Sequence, residues 1–245
     1  MRVDAHHIFR QSGPQPERLW PILERNRFEG SVMIQPEASA ELAALALDEA
    51  NSLEFVKAAA VWVDLASPRL GQRLDLLRNR SSKFKAIFHE FGDAADWLEV
   101  SRHRLPVNLS IQPGQLSQVL QVAESTPALT VIVDNLGSPV DFESWALQVE
   151  KVAQVPTIAV KISGLLTVNH PSTWNSTHLK PYVQHAIATF GPDRLLFGSG
   201  WPDCLTAGTW KESLAAFTQS IGAHSIDFRE KLLGGTAARL YNFLT

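Results

Sequence analysis

Eight short apolar runs, rich in Val, Ile and Leu, alternate with stretches of helical periodicity along all 245 residues. They fall at residues 1–9, 30–36, 58–65, 84–91, 106–111, 129–135, 157–164 and 194–200. Most are continuously apolar rather than alternating, the signature of strands covered on both faces. Strands of that kind, each followed by a helix, return by right-handed crossovers and build a parallel sheet.

Between the runs, helices are predicted at 16–27, 39–51, 71–78, 93–100, 114–124, 141–152, 178–190 and 206–221. Pro16 suits a first helical turn, and Ser39 reads as an N-cap with Glu41 just inside. Two further helices, 225–233 and 236–243, close the chain. Eight units favour closure into one α/β domain over 1–245, a single (β/α)8 or TIM barrel with extra C-terminal helices. The alternative, an open doubly wound sheet, lacks a Gly-x-Gly-x-x-Gly after any strand. One connection is long, 165–175, with His170, Pro171 and Trp174; it follows strand seven on the face where barrels bind substrates.

Composition narrows the function classes. The chain is 45% hydrophobic and 19% charged with a net charge of −3, its acids and bases scattered. No basic patch invites nucleic acid, and no cationic run invites an anionic membrane surface. No segment approaches the ~18 apolar residues of a membrane span, and the first residues lack a signal-peptide core. A lone cysteine, Cys204, excludes an internal disulfide and suits a reducing cytoplasm. It reads as a small buried filler rather than a nucleophile. Nothing in the chain signals an oligomeric state.

Active sites of such barrels lie at the strand C-termini. Here those ends carry Asp4, His6, His7, Gln35, Asp64, His89, Glu90, Asn108, Asp134, Asn135, Lys161, Ser163, Ser199, Trp201 and Asp203. Ionisable groups ending apolar strands are costly to bury unless they pair or bind something. His7 points away from the barrel axis if His6 points in, because strand side chains alternate. Asp4 and Asp134 read as loop-fixing carboxylates, and Lys161 invites an ion pair with Glu90 or Asp134. Trp201 and Trp174 are the tryptophans placed nearest a ligand.

Asp4-Ala5-His6-His7-Ile8-Phe9 resembles the opening Asp-x-His-x-His-Phe-Trp of the amidohydrolase-related barrels, in particular their sugar-lactonase and dicarboxylate-lactonase branch. The resemblance continues at Val133-Asp134-Asn135-Leu136-Gly137-Ser138-Pro139 and at Val160-Lys161-Ile162-Ser163-Gly164. It is nearest in the segment Phe190 to Pro202, similar to Phe-Gly-x-x-Arg-x-x-[Phe/Tyr]-Gly-Ser-Asp-Trp-Pro, and recurs at Ala237-Ala238-Arg239-Leu240-Tyr241. In that family the paired histidines can bind a divalent metal and the strand-eight aspartate acts as base or ligand. Here the second histidine is Ile8, the strand-eight aspartate is Gly200, and the histidine of Asp-His-Leu-Gly is Asn135. The arginine before His89 is Phe88, and the tryptophan after strand one is Arg10.

These departures remove donors that a zinc site needs, so no tightly bound metal is predicted, with weak divalent binding left open. The resemblance implies a hydrolase acting on a small oxygenated molecule such as a lactone. His6, His89 and Asp203 are the catalytic candidates; Gln35, Asp64, Asn108, Asn135, Lys161, Ser163 and Trp201 are the candidates for substrate binding. The alternative is a catalytically silent barrel that binds a sugar acid or similar small anion.

Overall fold

The computed structural model describes residues 1–92, 94–167 and 176–243. All eight predicted strands form: β1 (Val3–Ile8), β2 (Gly30–Gln35), β3 (Val56–Trp62), β4 (Phe84–Glu90), β5 (Val107–Ser110), β6 (Val131–Val133), β7 (Ile158–Ile162) and β8 (Leu195–Phe197). They pair in parallel in sequence order. Closure comes just past β8, where Ile8 N donates to Trp201 O at 2.6 Å and Gly200 N to His6 O at 2.9 Å. The eighth run is therefore shorter as a strand than its apolar length, because Gly200 turns the chain with φ +71°.

The helices are α1 (Trp20–Arg25), α2 (Ala40–Ser52), α3 (Leu70–Arg80), α4 (Trp97–Arg102), α5 (Leu116–Ser125), α6 (Phe142–Val152), α7 (Ser176–Phe190), α8 (Trp210–Ile221), α9 (Ile226–Glu230) and α10 (Thr236–Leu240). Ser39 caps α2 as predicted, its hydroxyl accepting Leu42 N. Three helices start later than periodicity suggested. A 3₁₀ turn at Pro16–Arg18 precedes α1. Asp96 captures Glu99 N and so begins α4. The capping box of Thr209 and Glu212 begins α8. Side-chain caps, not the apolar period, set the starts of α4 and α8, whereas α1 follows the 3₁₀ turn with no side-chain cap. Residues 168–175 of the long connection, with His170 and Trp174, lie outside the described residues.

Two apolar shells follow from the pleat. The inner one holds Val3, Ala5, Val32, Ile34, Ala58, Ala60, Ala86, Phe88, Ile132, Ala159 and Leu196, with Ala237 and Tyr241 entering from the C-terminal segment. The outer one packs the intervening strand residues against the helices. The register shifts near the starts of β3 and β4 and again in β1, and the shift in β1 bears on the site. There three residue steps, Asp4 to His7, oppose two on β2, Ser31 to Met33. This bulge turns both Ala5 and His6 inward and leaves Asp4 and His7 facing out. Among the described residues no helix is long and apolar enough to cross a membrane.

The C-terminal segment reaches the barrel floor through a turn of π-helix, Lys231–Gly235. A Cβ on Gly234 would stand 2.6 Å from both Met1 O and Val3 N, backbone atoms that cannot swing aside. Gly234→Ala is expected to destabilise the fold by about 1–3 kcal/mol, as overpacking does. Urea unfolding of the variant checks this; an unchanged midpoint would show that the segment packs less tightly against β1.

Candidate active site

The alternation that builds the inner shell also chooses which polar residues meet at the C-terminal mouth. Continuing each strand's inner parity gives His6 and Ile8, Trp62, Glu90, Ser110, Asp134, Lys161 with Ser163, and Gly198 with Gly200. Of these, Lys161 and Asp134 form a buried ion pair, Nζ to Oδ1 3.0 Å. His6 Nδ1 lies 3.4 Å from the same Nζ and 3.7 Å from Asp134 Oδ2. The bulge lets His6 reach this position, and Gly198 makes room for it: a Cβ there would sit 2.5 Å from the His6 Cβ.

Burial sets the charges. It pulls the Lys161 ammonium down, but Asp134 and Tyr241 outweigh it, and the net pKa is raised. Burial pushes the Asp134 carboxyl up; the neighbouring ammonium offsets part of that rise, and the net pKa stays raised. His6 is driven well below the usual imidazole value by burial first, then by the Lys161 charge and His7. The ring is therefore neutral. A lysine ammonium has only donors, so Nδ1 accepts and the ring hydrogen sits on Nε2. His6 thus offers the mouth a hydrogen-bond donor rather than a base.

Beside it, Asn135 N donates to Ser163 Oγ at 3.2 Å. Ser163 returns its own hydrogen to Asn135 Oδ1 at 2.8 Å. This exchange fixes the amide: Oδ1 is occupied and Nδ2 is the end left for a ligand. Asn135 and Leu136 hold φ values of 52° and 55°, left-handed backbone that non-glycine residues rarely adopt. Such strain persists where surrounding contacts over-determine it.

Among the candidates, His6, Asn135, Lys161 and Ser163 are brought together. Asn108 lies deeper on the inner face and accepts from Tyr241 Oη at 3.0 Å. Five others stand elsewhere. His89 shares the outward parity of Ile87 and packs edge-on against Trp97 of α4, centroids 5.4 Å apart. Trp201 also faces outward, beside His7. Gln35 bridges β2 and β3, accepting Trp62 N and donating to Glu37 O. Asp64 is exposed and caps its own turn at Ala66 N. Asp203 is held at the rim by Arg10, Nη2 to Oδ2 2.7 Å, while Arg10 Nη1 holds Glu37 at 2.8 Å.

Of the two partners expected for Lys161, Asp134 rather than Glu90 is its counter-ion, a role beyond the loop-fixing one also read for it. Tyr241 gave no sequence signal as a polar group of the interior. Cys204 is a buried filler, its thiol pushed up to about 12 by burial.

A closed parallel barrel with an ionisable cluster at its C-terminal mouth defines a TIM-barrel protein with its site in the usual place. Residues 21–243 match the amidohydrolase family, and the chain belongs to it. It is 29% identical over 254 residues to the L-fucono-1,5-lactonase of Burkholderia ambifaria, covering 96% of this chain and 86% of that one. The L-fucono-1,5-lactonase of Burkholderia multivorans is 26% identical over 259 residues, covering 92% and 85%. A crystal structure of an amidohydrolase from Burkholderia multivorans superposes with TM-score 0.90 at 24% identity, covering 99% of each chain; it holds HEPES in one crystal form and zinc in another.

His7, though outside the cluster, supplies a pH-dependent stability. Its Nδ1 contacts Ser31 Oγ at 2.8 Å, and Nε2 has no hydrogen bond among the described residues. Burial lowers its pKa from 6.5 to about 3. An imidazole with a depressed folded pKa is fully stabilising above the unfolded value and loses that contribution as pH falls toward the folded one. His7→Gln removes the titration. The difference in unfolding free energy between parent and variant is therefore expected to change by about 1.4 kcal/mol per pH unit between 6.5 and about 3. A pH-independent difference in urea titrations would refute the assignment.

Proposed function

We propose that the chain is a hydrolase that opens an uncharged lactone, without a resident metal ion, at the wall formed by His6 and Asn135. The observation that carries the reading is the Lys161 contact on His6 Nδ1, which commits Nε2 as a donor. An ammonium on one ring nitrogen also polarises the hydrogen on the other. Together with Asn135 Nδ2, it makes two preorganised donors for an oxyanion, the arrangement that acyl-transfer sites use.

Water attacks the lactone carbonyl carbon while its proton passes to the Glu90 carboxylate, exposed on the inner face at the end of β4. The negative charge develops on the carbonyl oxygen, between His6 and Asn135. Collapse breaks the ring C–O bond, and Glu90 returns its proton to the departing alkoxide. The product is a hydroxy acid. Its carboxyl proton passes to solvent water, and the resulting carboxylate is repelled by Glu90, which aids release.

The donor set speaks against a zinc ion like the one in the Burkholderia multivorans structure. Ile8 and Gly200 provide no ligand atom, and an ammonium occupies the space beside His6 Nδ1. Among the described residues no three His, Cys, Asp or Glu side chains cluster closely enough to share an ion. Charge supports a neutral substrate. Lys161 is committed to Asp134 and Arg10 to Asp203 and Glu37, so a carboxylate-bearing lactone finds both cations taken. The two Burkholderia lactonases support the lactone class.

The test is turnover on a panel of neutral sugar lactones and dicarboxylate lactones, with and without chelator. Neutral lactones are expected to be opened at a rate that chelation leaves unchanged. Glu90→Gln is expected to lower kcat by about 10²-fold or more, and Asn135→Ala by about 10–10³-fold. Stoichiometric zinc whose removal abolishes turnover would overturn the metal-free reading. Binding of a sugar acid without turnover of any lactone would favour the silent barrel.

A further inference from the structure

The hydrogens of the Lys161 ammonium identify a residue at the opposite end of the barrel. Asp134 Oδ1 lies 3.0 Å from Nζ as its counter-ion, and one hydrogen is directed to His6 Nδ1 at 3.4 Å. Lys161 is fully buried, so water does not receive the rest. Below it lies Tyr241, also fully buried, its ring centroid 5.9 Å from Nζ. The Tyr241 hydroxyl hydrogen is committed to Asn108 Oδ1 at 3.0 Å. The oxygen therefore turns lone pairs, not a hydrogen, toward the ammonium.

Lys161 thus meets His6 of β1 and Asp134 at the end of β6 within 3.4 Å, and the Tyr241 ring, just after α10, faces it from below at 5.9 Å, its hydroxyl and the ammonium each shifting the other's pKa. Tyr241 reaches this depth because the inner shell around its ring is built largely of Ala58, Ala60, Ala86 and Ala159. The segment carrying it is fixed to β1 by the close approach at Gly234.

We propose that Tyr241 is a positioning residue for the site: from the floor of the barrel its hydroxyl holds the Lys161 ammonium against His6 Nδ1, and so keeps the His6 hydrogen on Nε2. The inference rests on the hydrolase reading for its catalytic consequence, but not for its structural one. Tyr241 meets neither substrate nor reacting atoms. It acts through Lys161.

Other charged groups near this contact do not substitute for it. On β1, Asp4 faces outward to Ser199 and Trp210, and His7 to Ser31. The flanking strand β8 presents Gly198 and Gly200 on its inner side. Lys231, in the turn below, pairs with Asp193 and Asp227.

Tyr241→Phe keeps the ring and removes the hydroxyl. With ¹⁵N-labelled histidine, the His6 ring shifts report the tautomer at fixed neutral pH with no substrate present; His6→Gln assigns the signals. The parent is expected to show the Nε2–H form. Tyr241→Phe, and independently Asn108→Leu, are expected to show a mixture of tautomers with circular dichroism unchanged. On a turned-over lactone, Tyr241→Phe is expected to lower kcat about tenfold with KM within twofold. In a Lys161→Met background the tyrosine substitution is expected to have no further effect on the tautomer.

An unchanged His6 tautomer in Tyr241→Phe would overturn the proposal, as would an equal effect without Lys161. If no lactone is turned over, the hydrolase reading fails while the tautomer measurement still decides the role of Tyr241.

Discussion

A lysine ammonium held out of water inside the barrel is the constraint around which the mouth is arranged. An isolated buried cation is prohibitively costly, so every hydrogen on Lys161 needs an acceptor and its charge needs a partner. Asp134 supplies both, at 3.0 Å. The ammonium also bears on details that look unrelated: it reinforces the neutral form that burial imposes on His6 and directs its ring. Removing one member of such a pair typically costs about 3–5 kcal/mol, since the other charge is stranded. The polar centre and the fold are therefore not separable.

Asp4 does for the barrel wall what Asp134 does for its interior. Facing outward on β1, it accepts from Ser199 N and Oγ, from Trp210 Nε1 and from His6 N. Those bonds join the first strand, the end of the last and α8 at the seam where the sheet closes. Burial pushes the Asp4 carboxyl up, and its four donors offset only part of that rise. The adjacent bulge moves His6 into the lumen, and Gly198 gives it space, so seam and site share one local irregularity.

How much of this the sequence discloses depends on which physical signal carries it. The strands were legible because burial on both faces demands continuous apolar runs, and parallel order followed from the intervening helices. Helix starts were less legible at Trp97 and Trp210, where caps decide the boundary. Within the site, Lys161, Ser163 and Asn135 were found by position at strand ends. His89 and Trp201 were misplaced because a strand end presents alternate residues to opposite sides, and only the neighbours' parity says which. Asp203 reads as a free carboxylate in one dimension, but Arg10, nearly the whole chain away, claims it. Tyr241 was invisible as part of the centre: its contribution depends on three-dimensional reach from one end of the barrel toward the other.

The rim clasp has its own consequence. Arg10 follows β1, Glu37 follows β2 and Asp203 follows β8, so one guanidinium laces three neighbouring loops into a single flap. Its pairs couple the movements of those loops. Because each strut is a partly hydrated charge pair, dissolved ions slacken the lacing, and ionic strength becomes a dial on how freely that side of the entrance gives way.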